Sequence, residues 1–201
     1  MFPEGSMAGF SWDEDPKRFA FTTARYKFVA RMVEGMDKVL EVGCNDGFFS
    51  RIVRQHVNHL VGMDNDLKAI NIAKEMNSEK WNIYFQHWDI MDSTVLSQPG
   101  FDAVYCLDVF EHIKDSQTLL KNLAFFSEMC IIGTPSAESQ VYASPVSQKE
   151  HVNCVTKSHL KLLMKSHFKH VITFGMNDEV LHTGFDPMCQ YIFGLGFGTR
   201  K

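Results

Sequence analysis

Short apolar segments alternate with amphipathic helical segments along most of this chain of 201 residues. Apolar runs typical of buried strands occur at 38–43, 60–63, 82–86, 101–106 and 130–133. Apolar residues recur at helical spacing in 16–32, 48–56, 67–76 and 116–126. Strands that alternate with helices form a parallel sheet covered on both faces, because each parallel connection needs a long crossover. The sequence therefore predicts an α/β fold.

The last third of the sequence breaks this alternation. Residues 134–156 are polar, contain two prolines and show no period, so we expect a long loop there, and loops of this length are usually functional. A helix at 157–167 and strands at 171–174 and 188–193 follow, which gives seven predicted strands. A hydrophobic content of 45% suffices for one core. We expect a single domain over 1–201 that begins with a helical segment at 1–36.

Composition excludes several classes of protein. No stretch approaches the roughly 20 apolar residues of a membrane span, and residues 1–12 lack a basic region followed by an apolar run, so a cytoplasmic location is expected. The net charge of −4 makes nucleic acid an unlikely partner. The cysteines show no two-residue spacing of the zinc-site kind and are expected to be buried thiols: Cys44, Cys106, Cys130, Cys154 and Cys189.

A glycine-containing turn joins the first predicted strand to its helix. It reads Glu41-Val-Gly43-Cys-Asn45-Asp-Gly47, and Asp64 follows at the end of the next strand. Small residues let the backbone approach a ligand, asparagine tolerates a left-handed conformation, and the carboxylate can accept hydrogen bonds from ribose hydroxyls. These features predict a nucleoside site, and a nicotinamide dinucleotide would use them equally well.

The segment from about Val39 to about Phe168 resembles the class I S-adenosylmethionine-dependent methyltransferases. The turn matches the first motif of that family, except that Asn45 stands at the position where the family usually has its middle glycine. Residues 87–90 match the family's segment that flanks the adenine of the cofactor. Residues 101–104 together with 107–113 match its fourth-strand motif, which ends beside the methionine part of the cofactor. The resemblance implies a Rossmann-like, mostly parallel seven-stranded sheet and S-adenosylmethionine as cofactor. The implied cofactor residues are Glu41, Gly43, Asn45, Gly47, Asp64, Asp89, Ile90 and Leu107.

Two acids and an imidazole follow the fourth predicted strand. If Leu107 begins a helix, the spacing of Asp108, Glu111 and His112 places all three on one face, and His151 of the long loop can approach them. Methyl transfer to an amine needs little beyond positioning, whereas a hydroxyl must lose a proton. The group therefore favours an oxygen acceptor, with His112 or His151 as a general base or with a bound metal.

The same residues resemble the metal ligands of two branches of the family, the ubiquinone-pathway O-methyltransferases and the small-RNA 3′-end 2′-O-methyltransferases. Asp108-Val-Phe-Glu111-His112 and the later His151 keep the ligand order, with aspartate in place of the first glutamate. The resemblance implies a magnesium or manganese site made by Asp108, Glu111, His112 and His151. A general base without a metal remains the alternative.

Sequence constrains the acceptor least. Residues 151–168 resemble a segment that in bacterial relatives accompanies the synthesis of surface sugars, so a hydroxyl of a small metabolite, a sugar or sugar-linked compound, is expected. RNA 3′-end methylation, N-methylation and a non-catalytic cofactor-binding subunit are the alternatives. Cations of the leading helix, among them Arg18 and Arg25, are expected to face solvent, although Arg25 could meet the cofactor carboxylate. The tail at 194–198 is interpreted as a flexible end or a dimer contact.

Overall fold

The computed structural model of the chain describes residues 4–92, 94, 100–184 and 189–200. Within them, one sheet has eight strands in the order β3-β2-β1-β4-β5-β8-β6-β7. The strands are β1 (Lys38–Val42), β2 (His59–Asp64), β3 (Tyr84–His87), β4 (Ala103–Leu107), β5 (Met129–Pro135), β6 (Phe168–Asn177), β7 (Val180–His182) and β8 (Tyr191–Thr199). The first five strands are mutually parallel, whereas β8 is antiparallel to β5 and β6. The predicted α/β, mostly parallel Rossmann-like fold is thus confirmed.

Helices cover both faces of the sheet. They are α1 (Met7–Glu14), α2 (Pro16–Met32), α3 (Ser50–Arg54), α4 (Leu67–Met76), α5 (Ser116–Phe126), α6 (Pro145–Glu150) and α7 (Lys157–Lys165). Two buried clusters result: α5 and α7 pack on one face, and α2, α3 and α4 on the other. Successive β1 residues alternate between them, with Leu40 in the first cluster and Val39 in the second, as the two-residue period of a strand requires.

The prediction of seven strands missed one strand, β7, which pairs antiparallel with β6. Strand β7 has only three residues, which is too short for an alternating pattern to show. Strand β8 also continues to Thr199, so the 194–198 segment is a strand in the interior of the sheet. Its glycines interrupt the apolar pattern by which a strand is predicted. They are required by packing, because a Cβ at Gly194 would clash with Met164 of α7 and one at Gly196 with the Phe168 ring. The predicted start of this strand, position 188, lies outside the described residues.

The polar segment at 134–156 is more regular than predicted. It holds a 3-10 helix (Ala137–Tyr142) and α6, each begun by a serine whose side chain accepts a backbone N–H: Ser136 from Ser139 and Ser144 from Ser147. Neither helix buries a residue, so the segment carries no apolar period. The serine caps, with Pro145 at the first turn of α6, were the available signals.

Helix α1 is held against the glycine-containing turn. The buried Asp46 carboxylate accepts hydrogen bonds from the Ser6 hydroxyl (2.7 Å) and from the Ala8 N–H (3.2 Å) at the helix start. An anion is favoured there because the first N–H groups of a helix lack internal partners. The leading segment is consequently fixed beside the carboxyl ends of the parallel strands.

No helix in the described ranges is long and apolar enough to cross a membrane. All five cysteines are free thiols; four are buried and Cys154 is partly buried.

Replacing Leu120 by alanine should lower the free energy of unfolding by about 2 to 5 kcal/mol, because its side chain is fully buried between α5 and the sheet. Leu162→Ala on α7 is the matched control: Leu162 is 66% exposed, and the change should stay within about 0.5 kcal/mol. Urea unfolding followed by circular dichroism measures both. Equal losses would remove Leu120 from the core.

Candidate functional site

Two adjoining cavities open where β1 and β4 end. The Asp64 cavity, of about 300 Å³, is lined by Asp64, Trp88, Asp89 and Ile90, and the Arg25 cavity, of about 400 Å³, by Arg25, Leu107, Glu111 and His151, with further residues in each. Four residues line both: Gly43, Asn45, Asp108 and His112. In open parallel sheets, ligands bind at the carboxyl ends of the strands, so the two cavities form one candidate site with two halves.

The turn at 43–47 has a left-handed backbone at three positions: φ is +78° at Gly43, +49° at Asn45 and +67° at Gly47. Asparagine therefore does occupy the conformation that it was expected to tolerate. The space beside Gly43 is filled by the Val109 side chain rather than left open, because an added Cβ would clash with it. Packing and backbone conformation both require glycine here, and the approach of a ligand to this backbone stays a prediction, since Gly43 lines both cavities.

Asp64, at the end of β2, faces the cavity named after it. One carboxylate oxygen accepts the Asn45 N–H (2.8 Å), and the other accepts the Asp66 N–H (2.9 Å). A carboxylate oxygen has two lone pairs, so each retains one for a further donor. The two backbone bonds orient the carboxylate, which can then accept two vicinal hydroxyls such as those of a ribose.

Asp89 and Ile90 line the same cavity as Asp64, and their contact with the cofactor stays a prediction. Ile90 is buried, Trp88 is half-buried, and the exposed Asp89 accepts the Met91 N–H (2.8 Å). An aromatic and an aliphatic side chain next to a carboxylate suit a flat heterocycle with an exocyclic amino group. The donor set therefore fits the adenosine part of S-adenosylmethionine.

Glu41 near the end of β1 and Gly47 at the end of the turn line neither cavity. The buried Glu41 carboxylate accepts the Tyr26 hydroxyl (2.7 Å), and burial raises its pKa to about 7. The Tyr26 hydroxyl and the nearby hydroxyls of Ser50 and Tyr105 act in the opposite direction. Direct cofactor contact by Glu41 stays untested, and in this structure its carboxylate joins α2 to β1.

Arg25 does not face solvent with the other cations of α2. One guanidinium nitrogen lies 3.0 and 3.1 Å from the two oxygens of Asp108, and the guanidinium carbon lies 3.8 Å from the centre of the Tyr191 ring. Burial is the largest single influence and lowers the Arg25 pKa, but the Asp108 charge, the hydrogen bond to Asp108 and smaller contributions from Tyr191 and Glu111 together make the net shift upward. Helical spacing gave no signal for this contact, since its partner is 83 residues away.

Glu111, His112 and His151 form a compact group at the edge of the Arg25 cavity. One ligand atom from each lies within 4.8 Å of the other two. The local backbone differs from the expected helix, because only Phe110–His112 forms a 3-10 turn and Asp108 is left-handed (φ +54°). Asp108 is bound to Arg25 and is not part of the compact group, so the structure brings together three of the four predicted metal ligands.

The imidazoles of this group are oriented by hydrogen bonds. Nδ1 of His112 contacts the Glu150 carbonyl (3.2 Å), and Nδ1 of His151 contacts the Gln140 side-chain oxygen (3.1 Å). If Nδ1 carries the proton, Nε2 of each ring is left as the acceptor or ligand atom.

Asn153, which sequence reasoning missed, fixes the loop. Its N–H donates to the Glu111 carbonyl (3.0 Å), and its amide donates to the carbonyls of Phe110 and Ile113. These bonds hold His151 close to Glu111.

Burial and neighbouring charges shift the pKa values of Glu111 and His151. Burial, followed by the Asp108 charge, raises the pKa of Glu111 to about 8, and the Thr134 hydroxyl donates to its carboxylate (2.9 Å). The pKa of His151 is lowered by partial burial, then by His112, with a smaller contribution from Arg18. A protonated Glu111 carboxyl and a neutral His151 imidazole are thus favoured near neutral pH, and a cation bound in the group would displace the Glu111 proton.

A family model described as a methyltransferase domain matches residues 12–167. The chain therefore belongs to the methyltransferase-domain family, in its class I S-adenosylmethionine-dependent division.

Known proteins resemble the chain in part or in fold. The ubiquinone biosynthesis O-methyltransferase of Coxiella burnetii (strain RSA 493 / Nine Mile phase I) is 32% identical over 102 residues, which are 50% of this chain and 43% of that protein. The chain spans about half the length of the curated relatives it matches.

Two solved structures share the fold. N-methyltransferase NodS from Bradyrhizobium japonicum WM9, in complex with S-adenosyl-L-homocysteine, superposes with a TM-score of 0.68 at 13% identity, covering 98% of this chain and 94% of NodS. The methyltransferase domain of bacterial CtHen1-C gives 0.69 at 17% identity, with 89% and 99% covered. At such identities the likeness concerns the fold alone, and it does not decide between nitrogen and oxygen acceptors.

Asp64→Asn should weaken binding of S-adenosylhomocysteine about tenfold or more, because it replaces one acceptor oxygen by a donor and removes the charge that strengthens both hydroxyl contacts. Asp66→Asn, the same change two residues away and outside the cavity, should stay within about twofold, since asparagine also caps a helix. Isothermal titration calorimetry gives both affinities. Equal affinities of Asp64→Asn and the unchanged chain would exclude Asp64 from the cofactor site.

Glu41 should make stability depend on pH. Its pKa is about 7 when folded against 4.5 as the reference value, so between these pH values the folded chain holds a proton that the unfolded chain has lost. Stability should therefore fall by about 3 kcal/mol as the pH rises from about 4.5 to about 7. Glu41→Gln should remove this component. Urea unfolding at pH 5 and pH 8 measures the difference between the two chains, and an identical difference at both pH values would contradict the shift.

Proposed function

We propose that this domain transfers the methyl group of S-adenosylmethionine to a hydroxyl of a small polar metabolite, a sugar or sugar-linked compound. The observation that carries the proposal is the group of Glu111, His112 and His151, which lies at the Arg25 cavity next to the end of β4. Proton-accepting groups at this place are needed by an oxygen acceptor and not by a free amine. The name of the Coxiella burnetii relative, an O-methyltransferase, agrees with this acceptor type.

The cofactor is assigned to both cavities. Asp64 would accept the ribose hydroxyls, Asp89 and Ile90 would flank adenine, and Leu107 with Asp108 would border the methionine part. When bound, S-adenosylmethionine supplies an electrophilic methyl group on a sulfonium. The chain contributes by orienting the acceptor hydroxyl for an in-line approach and by removing its proton.

The acceptor proton has several possible destinations in the group. Nε2 of His112 or of His151 is free to accept it, since Nδ1 of each ring contacts an oxygen of the loop. The lowered pKa of His151 keeps that imidazole neutral and available as a base. Glu111, with a pKa of about 8, could pass the proton on or hold a cation once ionised.

A divalent cation fits the same three side chains. One carboxylate and two imidazoles suit manganese better than magnesium, because magnesium prefers an all-oxygen shell. When bound, such a cation would supply Lewis-acid activation of the hydroxyl. Asp108 would support it indirectly through its pairing with Arg25, in contrast to the direct role implied by the sequence resemblance.

The character of the Arg25 cavity favours a small polar acceptor. Its lining includes hydroxyl, carboxylate, imidazole and guanidinium side chains, with few aromatic rings: Ser11, Thr22, Asp46, Glu150, His151 and Arg18 are among the polar members. A carbohydrate offers many hydroxyls to such a lining. An RNA end would need a track of cations for its phosphates, whereas only two arginines line this cavity.

Methyl transfer should require a divalent cation. A chelator should abolish label transfer to the accepted substrate among nucleotide sugars, quinone precursors and RNA, manganese should restore it, and S-adenosylhomocysteine affinity should not change. Transfer is followed by mass spectrometry with labelled cofactor. Full transfer in chelator would eliminate the metal and leave His112 or His151 as the base.

Alanine variants define the acceptor type in the same assay. His112→Ala and His151→Ala should each lower kcat by about 100-fold or more. The exposed His159→Ala on α7 is the control. Turnover unchanged in both site variants would point to an amine acceptor.

A further inference from the structure

The charged side chains around the Arg25 cavity indicate a further chemical property of the acceptor. Two guanidinium groups line this cavity, both from α2, and they differ in their partners. Arg25 is neutralised by Asp108 at 3.0 Å. Among the residues that the structure describes, no carboxylate lies within ion-pair distance of Arg18, and its side chain makes no hydrogen bond with them.

The position of Arg18 directs it to the cavity. Arg18, Thr22 and Arg25 follow each other at spacings of four and three residues, so they share one face of α2, and all three line the cavity. Arg18 lines the same cavity as His151, which belongs to the compact group at its edge. Arg18 is exposed, so its guanidinium is accessible to a ligand that enters the cavity.

None of the four carboxylates that line the cavity forms an ion pair with Arg18. Asp46 is occupied by the Ser6 hydroxyl and the Ala8 N–H, and Asp108 by Arg25. Glu111 accepts the Thr134 hydroxyl (2.9 Å) and forms no ion pair with Arg18. Glu150 of α6 is the remaining carboxylate, exposed at the cavity edge, and it does not pair with Arg18.

We propose that Arg18 binds an anionic group of the acceptor, a phosphate or carboxylate, while the acceptor hydroxyl lies beside His112 and His151. A guanidinium pairs with either anion through two parallel hydrogen bonds, and it gives such an acceptor an advantage over its neutral analogue. This inference rests on the proposed transfer to a hydroxyl, and it narrows the substrate class to acidic hydroxylated metabolites such as sugar phosphates or sugar acids. Arg18 thereby acts as a specificity-determining residue that takes no part in the proton transfer.

Anion binding to the chain saturated with S-adenosylhomocysteine tests Arg18 without any methyl transfer. Inorganic phosphate and acetate are the probes, and calorimetry is the measurement. Arg18→Gln should weaken binding of the preferred anion about tenfold, and Arg18→Lys should restore part of it. Glu150→Gln should strengthen binding, since it removes the opposing charge. Lys17→Gln, the neighbouring exposed cation that does not line the cavity, should have no effect.

The probe that binds more tightly identifies the anion as phosphate or carboxylate. Equal affinity of Arg18→Gln and the unchanged chain for both probes, or an equal loss in Lys17→Gln, would overturn the proposal. A second assay compares transfer to glucose 6-phosphate, glucuronic acid and glucose: the ratio of kcat/KM for acidic over neutral acceptor should fall about tenfold in Arg18→Gln, mainly through KM. Absence of transfer to any hydroxyl, with Arg18-dependent phosphate binding retained, would instead reject the proposed function and leave the anion site standing.

Discussion

The ion pair between Arg25 and Asp108 joins the three parts of the molecule on which the site depends. Arg25 belongs to α2, Asp108 follows β4 in a left-handed conformation, and the guanidinium stacks on Tyr191 at the start of β8. A buried guanidinium without a carboxylate would be strongly destabilising, so the pair fixes the leading helix over the end of the sheet. It also determines the chemistry nearby, because the Asp108 charge contributes to the high pKa of Glu111.

Each carboxylate at the strand ends is adapted to a different task by its neighbours. Asp64 receives two backbone N–H groups and stays an acceptor, Glu41 is buried against a tyrosine hydroxyl, and Glu111 is buried at the edge of the cavity. In the proposed function, residues of one chemical type thus serve as nucleoside ligand, structural tie and proton carrier. Sequence identifies the acids, whereas burial and hydrogen bonding separate their roles.

Much of the fold could be predicted from hydrophobic periodicity, since β1 to β5 and the helices packed on them bury regular faces. Hydrophobic periodicity did not predict the elements in which buried and exposed positions do not differ in side-chain polarity. Strand β8 contains glycines covered by Met164 and Phe168, and α6 buries nothing. In the site, the position of Asp64 at the end of β2 and the close approach of His112 and His151 were predictable from motif spacing. Arg25 was not, because its partner comes from a distant part of the chain, and Asn153 carried no pattern that would reveal its contacts.

The two capped helices between Ala137 and Glu150 bury no residue, although α6 borders the Arg25 cavity through Ser147 and Glu150. Substitutions in this segment remove little apolar contact, so they cost little folding free energy, in contrast to changes in β4 or β5. The segment can therefore accumulate mutations under selection for a new acceptor while the cofactor half remains intact. Substitutions that adapt the domain to a new acceptor are consequently expected to be tolerated best in this stretch.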